Sequence, residues 1–209
     1  TQAGVPCTST QACTRSSSAA SVTRTASAAE RSTAAPNKGI DVVLEAMKIV
    51  CRQIPEAKLL VAGRGPDQHL VTEAAADPKQ NVELLGSLNA FGVGELLRSG
   101  SVFVTAPRPT WKWEEQFGLA YVEAQACGLP VVTTRCGSNE EALAPGNDLL
   151  AEYSVEAIAD RLVFWLQNPE ARAAQGTRNA AWVRTNHDLL TQCRAMSDAF
   201  AEIESLNGR

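Results

Sequence analysis

The segment 115–137 contains two carboxylates, Glu115 and Glu123, with seven residues between them. Phe117-Gly-Leu119 lies between the two and predicts the start of a helix. The first backbone N–H groups of a helix have no partner inside it and carry the positive end of its dipole. Because Gly118 lacks a Cβ, a phosphate can approach the main chain there. This arrangement favours a site for a phosphorylated ligand that is rich in hydroxyl groups.

The two carboxylates are suited to different parts of such a ligand. Glu123 falls about one turn into the predicted helix, and its side chain leans back toward the N-terminus. A carboxylate there can accept two hydrogen bonds from a vicinal diol such as ribose, each contributing about 1.5–3 kcal/mol. Glu115 precedes the helix and is placed to reach sugar hydroxyls beyond the phosphates. The simpler interpretation of Glu123 is a partner for the helix dipole alone.

The residues just before Glu115 are expected to belong to a loop. Glu114 does not have the seven-residue spacing to Glu123 and is expected to be solvated. Trp111 and Trp113 flank Lys112, and packing within the loop is favoured for both over stacking on a sugar.

Composition narrows the function classes. The chain has 209 residues, of which 44% are apolar, enough for a substantial core. Its net charge of -4 argues against a nucleic-acid partner. His69 and His187 are the only histidines and the six cysteines are scattered, so no metal site is expected. Neither a span of ~20 apolar residues nor a secretory signal pattern is seen, which favours a cytoplasmic protein with reduced thiols.

The chain divides near Pro36. Residues 1–35 are rich in Thr, Ser and Ala and are expected to form a disordered or aberrant N-terminal segment. Residues 36–209 show regular patterns and are expected to form one domain. Strands are predicted at 58–62, 82–85, 101–105 and 131–134. Helices are predicted at 39–54, 70–76, 119–127, 155–166 and 189–203, with one more ending at 95–98 and another beginning at Pro169.

Apolar strands that alternate with helices predict an α/β fold, a Rossmann-like doubly wound parallel sheet with additional C-terminal helices. Beyond Leu150 only helices are expected. Ligands of such folds bind outside the carboxyl ends of the strands. The turns after residues 62 and 85 and the loop 106–118 are therefore expected to lie at the edge that carries the site.

Several motifs together resemble the donor-binding C-terminal domain of the retaining glycosyltransferases of family 4, which have the GT-B fold. They are Glu-Gln-Phe-Gly-Leu at 115–119, Val-Glu-Ala at 122–124 and Ala-Cys-Gly-Leu-Pro-Val-Val at 126–132. The segment 137–141 is similar to a Gly-Gly-x-Pro-Glu turn of that family, from which Ser138 and Glu140 depart. Lys38-Gly-Ile-Asp41 resembles the family's helix start, and 58–66 its strand ending in Gly-x-Gly-Pro. The likeness covers residues 36 to about 200.

This resemblance implies roles for individual residues. Glu123 would hold the ribose, and Glu115 would contact the donor sugar as the catalytic residue. The amides around Phe117, Gly118 and Leu119 would bind sugar hydroxyls and diphosphate, and Lys38 would neutralise that diphosphate. The family pairs this lysine with an upstream arginine, for which Arg31 is the candidate. No metal or other cofactor is implied.

The implied reaction is transfer of a sugar from a nucleotide-diphosphate sugar, with retention of configuration, to an unknown acceptor (a glycan, lipid or small molecule). Family members build their site between two domains, and the acceptor-binding first domain is missing here. A truncated or frame-shifted product is therefore expected, in which 1–35 replace the first strand of the second domain. Peripheral membrane association through the missing domain is consistent with this.

Other functions are compatible with the sequence. One is a nucleotide-sugar-binding module that is inactive without a partner acceptor domain. Another is a nucleotide-sugar epimerase of related fold. A nicotinamide-dependent dehydrogenase is weaker, since no Gly-x-Gly-x-x-Gly follows a first strand.

Overall fold

The computed structural model describes residues 24–28 and 38–207, which form six strands and seven α-helices. The strands are β1 Arg24–Ala28, β2 Lys58–Ala62, β3 Val82–Gly86, β4 Phe103–Val104, β5 Val131–Thr134 and β6 Asp148–Leu150. The helices are α1 Ile40–Gln53, α2 Gln68–Ala76, α3 Ala90–Ser99, α4 Leu119–Ala126, α5 Val155–Gln167, α6 Pro169–Asn186 and α7 Leu189–Asn207.

The strands form one parallel sheet in the order β3-β2-β1-β4-β5-β6. The chain winds outward from β1 to β3, then returns to the centre at β4 and winds the other way. The order therefore reverses between β1 and β4, and the segments that follow these two strands face the same crevice. The prediction of a doubly wound parallel α/β fold is confirmed.

Successive residues of the strands pack alternately into two apolar layers, one on each face of the sheet. Leu59 and Val61 of β2 pack with α1 and α5 on one face of the sheet. Leu60 and Ala62 of the same strand pack with α3 and α4 on the other face. Each fully buried aliphatic side chain contributes about 1.5–3 kcal/mol, so burial on both faces holds the sheet between its helices.

The amphipathic pattern of α1 predicts its buried face. Ile40, Val43, Leu44, Met47 and Val50 are buried at helical spacing. Asp41 lies in the first turn, and the helix ends just before Pro55. Burial of this stripe fixes the N-terminus of α1 at the crevice.

Two strands differ from the sequence expectation. β1 lies within the segment 1–35, and residues 24–28 thus form a strand where the composition favours disorder. Its sequence, Arg-Thr-Ala-Ser-Ala, has no large apolar residue, but its backbone pairs with β2 on one side and β4 on the other. The other residues of 1–35 lie outside the described part of the chain. β6 is not among the predicted strands and pairs with β5 at the sheet edge.

The last helix leaves its apolar side chains at the surface. Leu189, Leu190, Met196, Phe200 and Ile203 of α7 are all exposed. Even so, none of the described helices has the length and apolarity required to cross a bilayer.

Candidate functional site

The crevice between β1 and β4 is lined by two helix N-termini. Gly39 precedes α1 with φ 69°, and Gly118 precedes α4 with φ 76°. No side chain caps either N-terminus. The backbone N–H groups of both first turns are thus arranged for an anion, as expected at the switch point of such a sheet.

Gly39 fixes the position of Lys38 beside the end of β4. A Cβ on Gly39 would lie 1.8 Å from the carbonyl oxygen of Ala106, so no residue that has a Cβ fits at this position. This close approach joins the start of α1 to the loop that follows β4, which carries Glu115. The two are far apart in sequence and adjacent in space.

Lys38 and Glu115 form an ion pair at this junction. The Lys38 Nζ donates a hydrogen bond to Glu115 Oε2 at 2.6 Å. The lysine side chain is 20% exposed and the glutamate side chain 10%. Charge-assisted hydrogen bonds of this length are about twice as strong as neutral ones, and partial burial limits screening by salt. The sequence motifs assign both residues to one site but do not predict that they touch.

The backbone of Glu115 is held by the turn 136–138. Its N–H donates to the Cys136 Sγ at 3.4 Å, and its carbonyl accepts from the Ser138 N–H at 3.0 Å. A Cβ on Gly137, whose φ is 57°, would lie 2.1 Å from the Glu115 carbonyl oxygen. The carboxylate therefore projects from a fixed backbone.

The turn is itself fixed from β5. Asn139 accepts a hydrogen bond from the Cys136 N–H and donates one to the Thr134 carbonyl at 2.7 Å. Burial raises the pKa of the Cys136 thiol, with the hydrogen bond from Glu115 acting in the opposite direction. The sulfur is therefore a neutral acceptor at pH 7. The turn is recognisable in the sequence, but its contact with Glu115 has no local signal.

The start of α4 places the remaining predicted residues. Gly118 lies against the Tyr121 ring, 2.3 Å from where a Cβ would stand, so this position also requires glycine. Phe117 is half-buried and Leu119 is 58% exposed. Glu123 is exposed at the fifth position of α4. This confirms the helix start and the place of Glu123 one turn inside it.

Tyr121 connects α4 to the strand ends below the crevice. Its hydroxyl accepts hydrogen bonds from Thr105 at 3.2 Å and Thr133 at 3.3 Å. Burial raises the pKa of Tyr121, so the phenol stays protonated at neutral pH. Tyr121 is a structural support for the helix start.

The remaining residues named from the sequence have mixed outcomes. Arg31 lies outside the described residues, so its assignment stays a prediction. Asp41, in the first turn of α1, pairs with Arg108 of the loop after β4. Trp113 packs with its ring centroid 4.9 Å from the Lys38 Nζ. Glu114 is exposed, as predicted. Among the described residues, no group of three or more His, Cys, Asp and Glu side chains is arranged to hold a metal ion.

Comparison with known proteins gives one family. The family model described as "Glycosyl transferases group 1" matches residues 32–182. A GDP-mannose-dependent monoacylated alpha-(1-6)-phosphatidylinositol monomannoside mannosyltransferase of Corynebacterium glutamicum is 34% identical over 151 residues, which are 71% of this chain and 40% of the relative. A phosphatidyl-myo-inositol mannosyltransferase of Mycobacterium leprae is 31% identical over 151 residues, which are 71% of this chain and 39% of the relative.

Solved structures agree on the fold. The crystal structure of Anabaena Alr3699/HepE in complex with UDP and glucose matches with a TM-score of 0.71. The match has 18% identity and covers 87% of this chain and 49% of that one. The chain thus spans less than half the length of each of these proteins.

Proposed function

The chain belongs to the glycosyl transferases group 1, and on this premise we propose that it forms the donor-binding half of a retaining glycosyltransferase. The observation that carries the proposal is the Lys38–Glu115 pair between the N-termini of α1 and α4. A cation and two positive helix ends suit a diphosphate, and a carboxylate beside them suits a sugar hydroxyl.

The diphosphate of the donor is assigned to Lys38 and to the amides around Phe117, Gly118 and Leu119. The amides belong to the start of α4, and the Lys38 ammonium is held beside Glu115, so these groups are in place before the ligand arrives. Preorganised donors of this kind stabilise negative charge as it develops, without reorganisation. Their function is to stabilise the departing nucleoside diphosphate.

The two carboxylates are assigned to the two ends of the donor. Glu123, exposed one turn inside α4, accepts hydrogen bonds from the ribose hydroxyls. Glu115, buried and fixed by the turn 136–138, accepts from the sugar.

In the proposed reaction the bond between the anomeric carbon and the diphosphate oxygen breaks, and a bond from the same carbon to an acceptor oxygen forms on the same face. The acceptor proton passes to the departing diphosphate. The two curated relatives are named for phosphatidylinositol-based acceptors. We therefore infer a lipid or glycan acceptor, bound by parts of the protein beyond the described residues.

A second candidate is a binding module that transfers sugar only with a separate acceptor domain. This candidate is favoured because the chain spans only 40% of the length of the Corynebacterium relative and 39% of that of the Mycobacterium relative. Addition of candidate acceptor domains to the chain, with release of nucleoside diphosphate as the readout, separates the two. Turnover by the chain alone contradicts the module.

A thermal-shift panel of UDP-, GDP- and ADP-sugars tests the proposal. A ligand that binds only the folded state raises the apparent Tm with concentration. At least one nucleotide sugar is expected to do so, and the matching free sugar is not. A panel in which no nucleotide sugar shifts the Tm contradicts the proposal, and a response to nicotinamide dinucleotides alone indicates an oxidoreductase.

A further inference from the structure

The loop between β4 and α4 carries a tight hairpin at residues 110–113. The Thr110 N–H donates to the Trp113 carbonyl at 2.8 Å, and the Trp113 N–H donates back at 3.3 Å. The Thr110 hydroxyl also accepts from the Lys112 N–H. These bonds fix the direction of the chain just before Glu115.

The hairpin places one of its two tryptophans against the candidate site. The Lys38 Nζ lies 4.9 Å from the centroid of the Trp113 ring, within the range of a cation–π interaction. The same nitrogen is 2.6 Å from the Glu115 carboxylate. The ammonium thus has an aromatic face and a carboxylate as neighbours. Since a lysine ammonium has three donors, donors remain for a third group.

The other tryptophan offers a control within the same hairpin. Trp111 is 88% exposed at the tip, and the Lys112 Nζ lies 4.1 Å from its ring centroid. The two pairs have the same chemistry, and both distances are within the range of a cation–π interaction. They differ in burial and in place, because Trp113 is half-buried beside the predicted diphosphate site and Trp111 is at the surface.

We propose that Trp113 is a positioning residue for Lys38. Lysine is a flexible side chain, and ordering it when a ligand binds costs conformational entropy. The Trp113 ring and Glu115 hold the ammonium in the crevice beforehand, so less ordering remains when a diphosphate arrives. This inference rests on the proposed function, in which Lys38 binds the diphosphate. It adds a residue that acts through Lys38.

The test compares the affinity of the chain for UDP and GDP with that for UMP and GMP, by calorimetry. Trp113→Leu is expected to weaken diphosphate binding roughly 3- to 30-fold, in line with a partly buried cation–π contact. Monophosphate affinity should change much less. Trp113→Phe should recover most of the loss, and Trp111→Leu should have no effect. In a Lys38→Gln background, Trp113→Leu should have no further effect.

A purely structural role predicts a different pattern. Equal losses for mono- and diphosphates, or equal losses for Trp113→Leu and Trp111→Leu, overturn the inference. If the wild-type chain binds UDP and GDP no more tightly than the nucleosides, the proposed function falls together with it. A failure confined to the Trp113 variants overturns the present inference alone.

A second measurement needs no nucleotide. When the lysines are dimethylated with ¹³C, the Lys38 methyl signals should show a ring-current shift that Trp113→Leu removes and Trp111→Leu preserves. A Lys38 signal unchanged by Trp113→Leu overturns the contact, whether or not nucleotides bind.

Discussion

Two groups of polar side chains in this fold differ in how many of their hydrogen-bond donors and acceptors have a partner. One is the pair Lys38 and Glu115 at the crevice. The other, the amide cluster, consists of Gln125, Asn147, Gln175 and Asn179, which join α4, α6 and the loop before β6. Three of its four side chains have no exposed surface.

The amide cluster is saturated. Gln125 donates to the carbonyls of Tyr121 and Ala142 and accepts from the Ala144 N–H and from Asn147. The Gln125 side chain thus uses both of its donors and both of its acceptor sites. Lys38 has one hydrogen-bond partner among the described residues, although its ammonium offers three donors. The saturated cluster therefore holds the structure, and the unsaturated one retains capacity for a ligand.

The largest expected effect is a loss of folding stability when the amide cluster is disrupted. Gln125→Met keeps the volume but removes one hydrogen-bond partner from each of two buried carbonyls, an N–H and the Asn147 amide. Unfolding by urea should show a loss of about 2–4 kcal/mol. Gln167→Met at the exposed end of α5 is the control and should stay within about 0.5 kcal/mol. A loss no larger than the control's would show that the cluster is not a structural element.

The next effect concerns binding. Lys38→Gln should weaken nucleoside diphosphate binding about 10- to 100-fold, because it removes the charge from a charge-assisted contact. Calorimetry measures the affinity, and urea unfolding should show a smaller loss than for Gln125→Met. Lys48→Gln, at an exposed position of α1, is the control and should bind like wild type. Equal affinities for Lys38→Gln and wild type would remove Lys38 from the site.

A smaller effect is expected at the ribose end. Glu123→Ala should weaken the binding of ribonucleotides about 10-fold, since a carboxylate that accepts from a diol is lost. Binding of the 2′-deoxynucleotide should weaken less, because one of the two hydroxyls is already absent. Glu73→Ala on the exposed face of α2 is the matched control. Equal losses for ribo- and deoxyribonucleotides would contradict the ribose assignment.

The smallest expected effect is a pH dependence of the folding stability that arises from His187. The centroid of its ring lies 5.4 Å from that of Phe117 and 4.7 Å from that of Trp182. Burial lowers the pKa of His187. The unfolded chain therefore binds the proton first as the pH falls below about 6.5, and the stability contributed by the neutral ring is lost as the pH passes the folded-state pKa.

The Tm of the wild type should accordingly fall slightly more between pH 7 and pH 5 than that of His187→Gln. His69→Gln, which changes an exposed histidine, should follow the wild type. Parallel curves for wild type and His187→Gln would contradict the prediction.

The sequence is sufficient to predict those helices and strands that have a local pattern of apolar residues. The amphipathic stripe of α1 and the apolar runs of β2 and β5 are local signals, and the structure has these elements at or near the predicted residues. The family resemblance drawn from residues 115–132 is confirmed by the family match. The central strand β1 escapes prediction, because pairing with two neighbours stabilises a sequence that has no large apolar side chain.

The site is only partly predictable. Lys38, Glu115, Gly118 and Glu123 can be placed from motifs, since helix starts and spacing are local. The contact of Lys38 with Glu115 and Trp113 spans more than seventy residues of sequence and depends on the order of the strands. The hold of the turn 136–138 on Glu115 depends on the same order.

The central claim is that the unsaturated pair at the crevice binds the diphosphate of a nucleotide sugar. A crystal structure of the chain with a bound nucleoside diphosphate tests this most directly. The account predicts the diphosphate between the N-termini of α1 and α4, within hydrogen-bond distance of the Lys38 Nζ, with the ribose at Glu123. A nucleotide bound elsewhere, with the crevice empty and Lys38 in contact with Glu115 alone, would contradict it.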